Sequence, residues 1–293
     1  MNGILLIDKE KGYTSHDVVA KLKGILGQKK IGHTGTLDPD ATGVLPVLVG
    51  KATKLSDMLT AENKVYDAVL CLGITTDTQD CGGTVLKERT VNASDDDIKA
   101  AILSFEGSYE QLPPMYSAIK VNGKKLYELA RKGVTVERKP RRVSIEKIEI
   151  KDITPPFATI RVYCSKGTYI RTLCHDIGEK LGCGAAMKEL RRIESGDFSV
   201  EDAVSISKVQ DLADVKKADS LIIPIEKALS GLPVFTVKKT YNKALINGNE
   251  LDISWGEGNT ENESVLVFSE EGALVGIYAK NKKGKLSPRK MLL

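Results

Sequence analysis

Between Gly32 and Gly43 the chain reads GHTGTLDPDATG, a stretch with neither helical nor strand periodicity. Glycines at 32, 35 and 43, together with Pro39, mark a loop with unusual backbone demands. A residue that precedes proline is driven toward extended backbone, so Asp38 belongs outside any helix. Flanking glycines let the chain turn sharply and approach a ligand closely. Such a loop can present a single carboxylate, Asp38, for nucleophilic or general-base chemistry. An ordinary Asp-Pro turn has the same spacing, so the loop gains meaning only from what surrounds it.

Other chemistries find little support. Cys71, Cys81, Cys164, Cys174 and Cys183 are odd in number and widely spaced, and His16, His33 and His175 are equally scattered. No C-x-x-C pair or Cys/His cluster predicts a metal site, and no nucleotide-binding motif predicts a cofactor. The unpaired thiols fit a reducing cytosol. After Ile4–Ile7 the chain becomes charged, too soon for a secretory segment, and no apolar run reaches membrane length. The expectation is a soluble, cytoplasmic protein without a membrane partner.

The elements that must hold the loop are readable from pattern. With 293 residues, 41% hydrophobic and 28% charged, the chain is long enough for one large and one small domain. The apolar run Ile4–Ile7 reads as a buried strand. A helix follows, opened by Thr14 or Ser15 with Asp17 in its first turn, apolar at Val18, Val19, Leu22, Ile25 and Leu26, and ended by Gly27. Val44–Val49 and residues 65–73 read as strands, and Ser94 caps a helix carrying Ile98, Ile102, Leu103 and Phe105. Residues 143–150 and 158–164 alternate as half-exposed strands, and a helix spans about 172–181. Strands that meander between helices predict an α+β body with a mixed or antiparallel sheet. From Gly231-Leu232-Pro233 onward, short strand-like runs between turns predict a small β-rich domain over 232–293.

The loop core GTLDPDATGVL resembles the catalytic motif of the TruB family of tRNA pseudouridine synthases, G-T-L-D-P-x-A-T-G-V-L. Asp40 occupies the x position, where the family carries a small or apolar residue, and is expected to face solvent. The resemblance continues in order. Asp8-Lys9-Glu10-Lys11-Gly12-Tyr13-Thr14-Ser15 is similar to D-K-P-x-G-x-T-S, with Glu10 in place of proline, and Lys64-Val65-Tyr66-Asp67-Ala68 is similar to K-x-Y-x-A. Pro113–Lys120 with Gly123, Leu126-Tyr127 and Ala130-Arg131, then Gly167–Leu173, then Leu190-Arg191-Arg192, complete a match across about 1–195.

The resemblance implies a pseudouridine synthase catalytic domain over 1–231 and a PUA-like RNA-binding module over 232–293. It implies isomerisation of a uridine in the T-loop of tRNA, position 55, by Asp38 and without a cofactor. Arg171 matches the arginine that pairs with the aspartate and is expected to lower its pKa by about 1–3 units. Tyr66 matches the tyrosine that stacks on the target base. Tyr169 is placed in the same pocket, and His33 is placed beside the flipped base. Lys9 and Lys64 are assigned either to phosphate or to support of the pocket.

Flipping a base out of a folded loop costs a few kcal/mol, which backbone contacts must offset. From Lys120 to Arg142 there are nine basic and two acidic residues, a net of +7 within a chain whose formal charge is +4. With Tyr116 and Tyr127, this stretch reads as an RNA-gripping insertion over about 110–142. Lys120, Lys124, Lys125, Arg131, Arg141 and Arg142 are the candidate contacts there, and Lys283 and Lys285 are the candidates in a second basic cluster from Lys280 onward. The partner implied is the tRNA T-arm, met by a monomer that needs no protein partner. Three other readings compete: a silent tRNA-binding or folding protein on the same scaffold, a guide-RNA-dependent synthase subunit, and a small-molecule glycosidase. The last would ordinarily deploy two carboxylates.

Overall fold

The computed structural model describes residues 1–60, 63–121 and 123–293. Its organising element is a mixed sheet that reads, in order, Gly3–Lys9, Thr42–Val49, Ala185–Ser195, Lys64–Leu72, Phe157–Cys164, Arg141–Thr154 and Gly107–Gln111. Two short strands join it, Ile31–His33 on Thr42–Val49 and Phe198–Ser199 on Ala185–Ser195. Neighbours in the main path run antiparallel, except that Ala185–Ser195 lies parallel to Thr42–Val49. The mixed sheet expected from the meandering strand pattern is therefore present.

Gly3–Lys9 is buried along almost its whole length although it is the outermost strand of that path. A later segment covers its free edge: Ile4 N–H donates to Ile223 O, and Asp8 N–H donates to Val204 O. Pairing the exposed edge in this way removes an unsatisfied row of backbone groups.

Helix Ser15–Ile25 is started by Thr14, whose hydroxyl accepts from Asp17 N–H while the Asp17 carboxylate accepts from Thr14 N–H. This reciprocal cap satisfies two donors that would otherwise be orphaned. Val18, Val19 and Leu22 pack against Leu5, Ile7, Leu45 and Val47 of the sheet. On the opposite side, helix Ile170–Lys180 buries Leu173, Cys174 and Ile177 against Tyr66, Ala68, Leu70, Ile160 and Val162. That helix begins two residues before the expected start, so Arg171 lies in its first turn. Helix Asp95–Leu103 is capped by Ser94, as its sequence predicts.

Beyond residue 232 a second sheet forms, ordered Gly256–Gly258, Val234–Val237, Val265–Ser269, Leu274–Lys280, Leu286–Met291. One core of this unit gathers Phe235, Val237, Leu245, Val265, Val267, Tyr278 and Leu286. Its other face is not independent. Leu266, Ile277 and Leu292 pack with Ile4, Leu6, Val44 and Leu48 of the main body. Lys54 Nζ also donates to Met291 O at 2.7 Å, and Lys290 pairs with Asp57 at 2.9 Å. Among the described residues no helix is long and apolar enough to cross a membrane.

Candidate active site

The loop between Ile31–His33 and Thr42–Val49 is fastened on each side of Asp38. Ser15 Oγ, buried at the start of its helix, accepts from Leu37 N–H at 2.9 Å and donates to Leu37 O at 3.2 Å. On the other side, Pro39 O accepts from Lys9 Nζ at 3.1 Å and from Gly12 N–H at 2.9 Å. Ala41 N–H closes the turn on Asp38 O at 3.1 Å. Gly43 follows with φ +104°, and a Cβ there would collide with the Arg192 backbone of the adjoining strand. The loop can therefore lead straight into the sheet only with glycine at this position.

Arg171 reaches this loop from the first turn of helix Ile170–Lys180, whose Ile170 and Leu173 share a core with Leu37 and Ala41. Its Nη2 lies 3.1 Å from Asp38 Oδ2 and 3.3 Å from Oδ1, and donates to Tyr116 O at 2.7 Å. Its Nη1 is 3.8 Å from Asp80 Oδ2, so one guanidinium stands between two carboxylates. The Arg171 side chain is 6% exposed, whereas Asp38 keeps 38% of its side-chain surface open. Asp38 is thus walled on most sides and open on one.

Arg171 favours the charged form of the Asp38 carboxyl, as expected, but does not set the net balance. Loss of water around the group pushes it above its ordinary value of 3.8, which Arg171 and Lys9 oppose and Asp80 and Asp40 reinforce. Desolvation of a charged group near the floor of a cleft here outweighs one well-placed cation. The Arg171 guanidinium at 3.1 Å is the largest influence opposing that shift.

Two tyrosines lie close enough to feel the pair's charge, and His33 stands on the same loop. Tyr66, on Lys64–Leu72, is buried, and the Asp38 charge is felt at its hydroxyl. Tyr169 immediately precedes helix Ile170–Lys180, and the Arg171 guanidinium carbon is 6.0 Å from its ring centroid. Burial raises the hydroxyl pKa of both tyrosines, so both remain donors at neutral pH. His33 ends its short strand, stands edge-on to His16 at 5.3 Å, and accepts from Gly35 N–H through Nδ1. That bond places the proton of the neutral ring on Nε2. Burial, with His16 and Arg192 nearby, lowers its pKa to about 4, so His33 is uncharged in the cell.

Both lysines assigned either to phosphate or to support are turned onto backbone carbonyls. Lys9 is fully buried, and its Nζ donates to Glu10 O, Tyr13 O and Pro39 O at 2.9, 2.7 and 3.1 Å. No phosphate can reach it. Lys64 is likewise buried, with its Nζ donating to Thr60 O at 3.0 Å. Asp40 faces solvent as expected, 3.9 Å from Lys11.

The structure adds Asp80, which sequence reasoning passed over, and gives a place to Arg192, matched in sequence only within Leu190-Arg191-Arg192. Asp80 comes from the turn after Thr76, where Gln79 adopts φ +66° and accepts from the Thr172 hydroxyl at 2.7 Å. Cys81 N–H and Gln79 O hold this turn to Met187 in the main sheet. The run TDTQDCGG is dense in turn-forming residues, which was the available signal. Arg192, 1% exposed, donates to Val44 O at 2.8 Å and Gly35 O at 3.2 Å, and its strand position faces Gly43 on one side and Tyr66 on the other.

The candidate RNA contacts fall in two places. Lys120, Lys124 and Arg131 are exposed and Lys125 is half-buried on the segment between Gly107–Gln111 and Arg141–Thr154, with Arg141 and Arg142 exposed at its end. Lys125 and Arg131 both lie against the Tyr127 ring, at 5.4 and 5.5 Å from its centroid. Lys283 and Lys285 are exposed in the turn between Leu274–Lys280 and Leu286–Met291.

Comparison with known proteins agrees with this geometry. Residues 23–170 match the TruB family pseudouridylate synthase N-terminal domain, and residues 171–230 match the tRNA pseudouridylate synthase B C-terminal domain. A tRNA pseudouridine synthase B of Lachnoclostridium phytofermentans is 48% identical, with 100% of each chain covered. The protein of the same name from Bacillus subtilis is 44% identical, covering 100% of this chain and 98% of that one. Among solved structures, the archaeal box H/ACA Nop10–Cbf5 complex matches with a TM-score of 0.75 at 28% identity, covering 100% of this chain and 86% of that chain. A Cbf5–Nop10–Gar1 complex gives 0.75 at 30% identity, covering 99% and 85%. An Asp-Pro loop facing a helix-borne arginine, on a chain with these full-length likenesses, is that of a TruB-family pseudouridylate synthase, and the protein belongs to that family.

Proposed function

We propose that this chain isomerises uridine to pseudouridine at position 55 in the T-loop of tRNA, with Asp38 as the catalytic carboxylate. The observation that carries this reading is the Asp38–Arg171 pair, partly exposed at Asp38, with Tyr66 and Tyr169 near enough to feel its charge. The reaction breaks the bond between N1 and the ribose, turns the uracil and joins C5 to the same carbon. Its atoms and electrons balance within the nucleoside, so it requires no cofactor.

Asp38 meets the nucleoside, and Arg171 fixes the orientation of its carboxylate. A carboxylate already short of water becomes more reactive when the incoming base displaces the rest. Tyr66 supplies a neutral phenol beside the reacting base, and neutral His33 supplies a flat face without an added charge. The insertion over about 110–142 and the turn carrying Lys283 and Lys285 grip the RNA backbone. That grip offsets the cost of lifting the uridine out of its stack.

We assign the catalytic domain to 1–231 and a PUA-like RNA-binding module to 232–293. The chain acts in the cytosol as a monomer, without a guide RNA or protein subunit. The higher identity to a protein named tRNA pseudouridine synthase B, 48%, than to the box H/ACA Nop10–Cbf5 complex, 28%, supports that reading over a guide-dependent one. The test is purified protein with one unmodified tRNA transcript and no other macromolecule, followed by mapping of modified positions. Pseudouridine at position 55 is expected. Asp38→Asn is expected to lose at least about a thousandfold in rate while binding tRNA within a few-fold of the parent. An Asp38→Asn protein of normal rate would remove the assignment.

A further inference from the structure

The side chain of Gln111 performs a task that neither the loop chemistry nor the RNA grip accounts for. It is the last residue of Gly107–Gln111, is 1% exposed, and lies opposite Arg141 in the sheet. Tyr169 N–H donates to Gln111 Oε1 at 2.8 Å, and Gln111 Nε2 donates to Tyr169 O at 3.0 Å. The carboxamide thus closes a two-bond ring on one backbone residue, as a neighbouring strand would. Turning the amide over would set donor against donor and acceptor against acceptor, so Tyr169 itself dictates its orientation.

Tyr169 is the residue that precedes helix Ile170–Lys180, and no side chain caps that helix. Its backbone sets both the direction of its own ring and the position of Arg171 two residues later. Gln111 also donates to the Tyr109 hydroxyl, and the Asp176 carboxyl of the same helix is hydrogen-bonded to that hydroxyl. The amide is therefore held from behind as well as from the front. Immediately after Gln111 the chain leaves the sheet for the basic insertion, whose Tyr116 O accepts from Arg171 Nη2 at 2.7 Å. One buried amide sits where the sheet, the insertion and the catalytic helix meet.

We propose that Gln111 is a positioning residue for the isomerisation: its amide locks the Tyr169 backbone and so holds the Tyr169 ring and the Arg171 guanidinium in register with Asp38. The inference rests on the reading of Asp38 and Arg171 as the reacting centre. Gln111 itself touches no substrate. A displacement of about 1 Å at such a centre can cost about 100-fold in rate.

The test compares the parent protein with Q111E and Q111M, measuring single-turnover pseudouridine formation on an unmodified tRNA transcript, tRNA affinity and pH dependence. Both variants are expected to lose about 10- to 100-fold in rate while binding tRNA within about threefold of the parent. In Q111E the substituted carboxyl keeps the acceptor for Tyr169 N–H but loses the donor. Protonation restores a donor, and burial favours the protonated form. The deficit of Q111E is therefore expected to shrink as the pH falls from 8 to 6, whereas that of Q111M stays constant relative to the parent. Either variant within about twofold of the parent rate overturns the proposal. So does a deficit in rate matched by an equal deficit in affinity, with no pH-dependent recovery in Q111E. A parent protein that leaves the transcript unmodified overturns the functional reading instead.

Discussion

Arg171 stands 133 residues from Asp38 in sequence, yet its Nη2 lies 3.1 Å from the Asp38 carboxylate and 2.7 Å from the Tyr116 carbonyl. The same side chain thus touches the catalytic loop and the base of the basic insertion. The insertion is thereby mechanically linked to the Asp38 carboxylate through one guanidinium.

The acid side of the pH profile follows from this pair. In the proposed reaction Asp38 acts as a carboxylate, and desolvation, outweighing Arg171, raises its pKa above 3.8. The rate kcat/KM is therefore expected to fall, on acidification, at a pH above 3.8. Arg171→Met removes the largest opposing influence, so the limb moves further toward neutral pH and the rate at pH 7 drops at least about tenfold. Pseudouridine formation measured from pH 4.5 to 8 decides it; a limb that stays in place would separate Arg171 from the ionisation of Asp38.

Lys9 serves the loop rather than the RNA. Lys9→Met deletes the amine that joins Glu10, Tyr13 and Pro39, so the loop loosens. The rate is expected to fall about 10- to 100-fold with tRNA affinity changed less than about threefold. A loss of affinity larger than the loss of rate would return Lys9 to the phosphate contacts. Burial also brings the Lys9 pKa down from 10.5 to about 8, with Asp38 and Asp40 opposing. The unfolded chain then binds the extra proton between these values, so this residue's contribution raises stability as pH increases from 8 to 10.5. The rise is expected to disappear in Lys9→Met.

His33 contributes with the same sign in a different window. Its folded pKa of about 4 lies below the ordinary 6.5, so its contribution to stability is complete above 6.5 and is lost as pH falls toward 4. Asp176, raised to about 6 by burial, works oppositely between 3.8 and 6. The difference between parent and His33→Asn isolates the histidine. Melting temperatures of the two are expected to converge as the pH is lowered from 7 to 4.5. A constant offset would show that His33 titrates normally.

Binding to tRNA is expected to weaken steeply with salt. Replacing Lys124, Lys125 and Arg131 together with glutamine removes up to three phosphate contacts. The slope of log affinity against log salt is then expected to flatten by about 2 to 3. Equilibrium binding between 50 and 300 mM salt reads this directly; an unchanged slope would make the insertion a solvated surface.

Much of the protein is legible in its residues alone. The caps at Thr14 and Ser94, the buried runs at Ile4–Ile7 and Val44–Val49, and the glycine-bounded loop around Asp38 are set by backbone sterics and short-range hydrogen bonds. Those forces act within a few residues, so spacing reveals them. The chemistry expected of the loop came from the resemblance of several motifs, in order along the chain, to those of the TruB family.

What packing alone decided lies between residues far apart. Asp80 joins Arg171 only because Gln79 and Cys81 pair with Met187, and Gln111 finds Tyr169 across the sheet. The protonation balance of Asp38 is of the same kind. A sequence can name the arginine that favours its charge, but the loss of water that opposes it depends on every atom brought around the carboxyl. Desolvation is a property of the assembled cleft, and no spacing of residues along the chain encodes it locally.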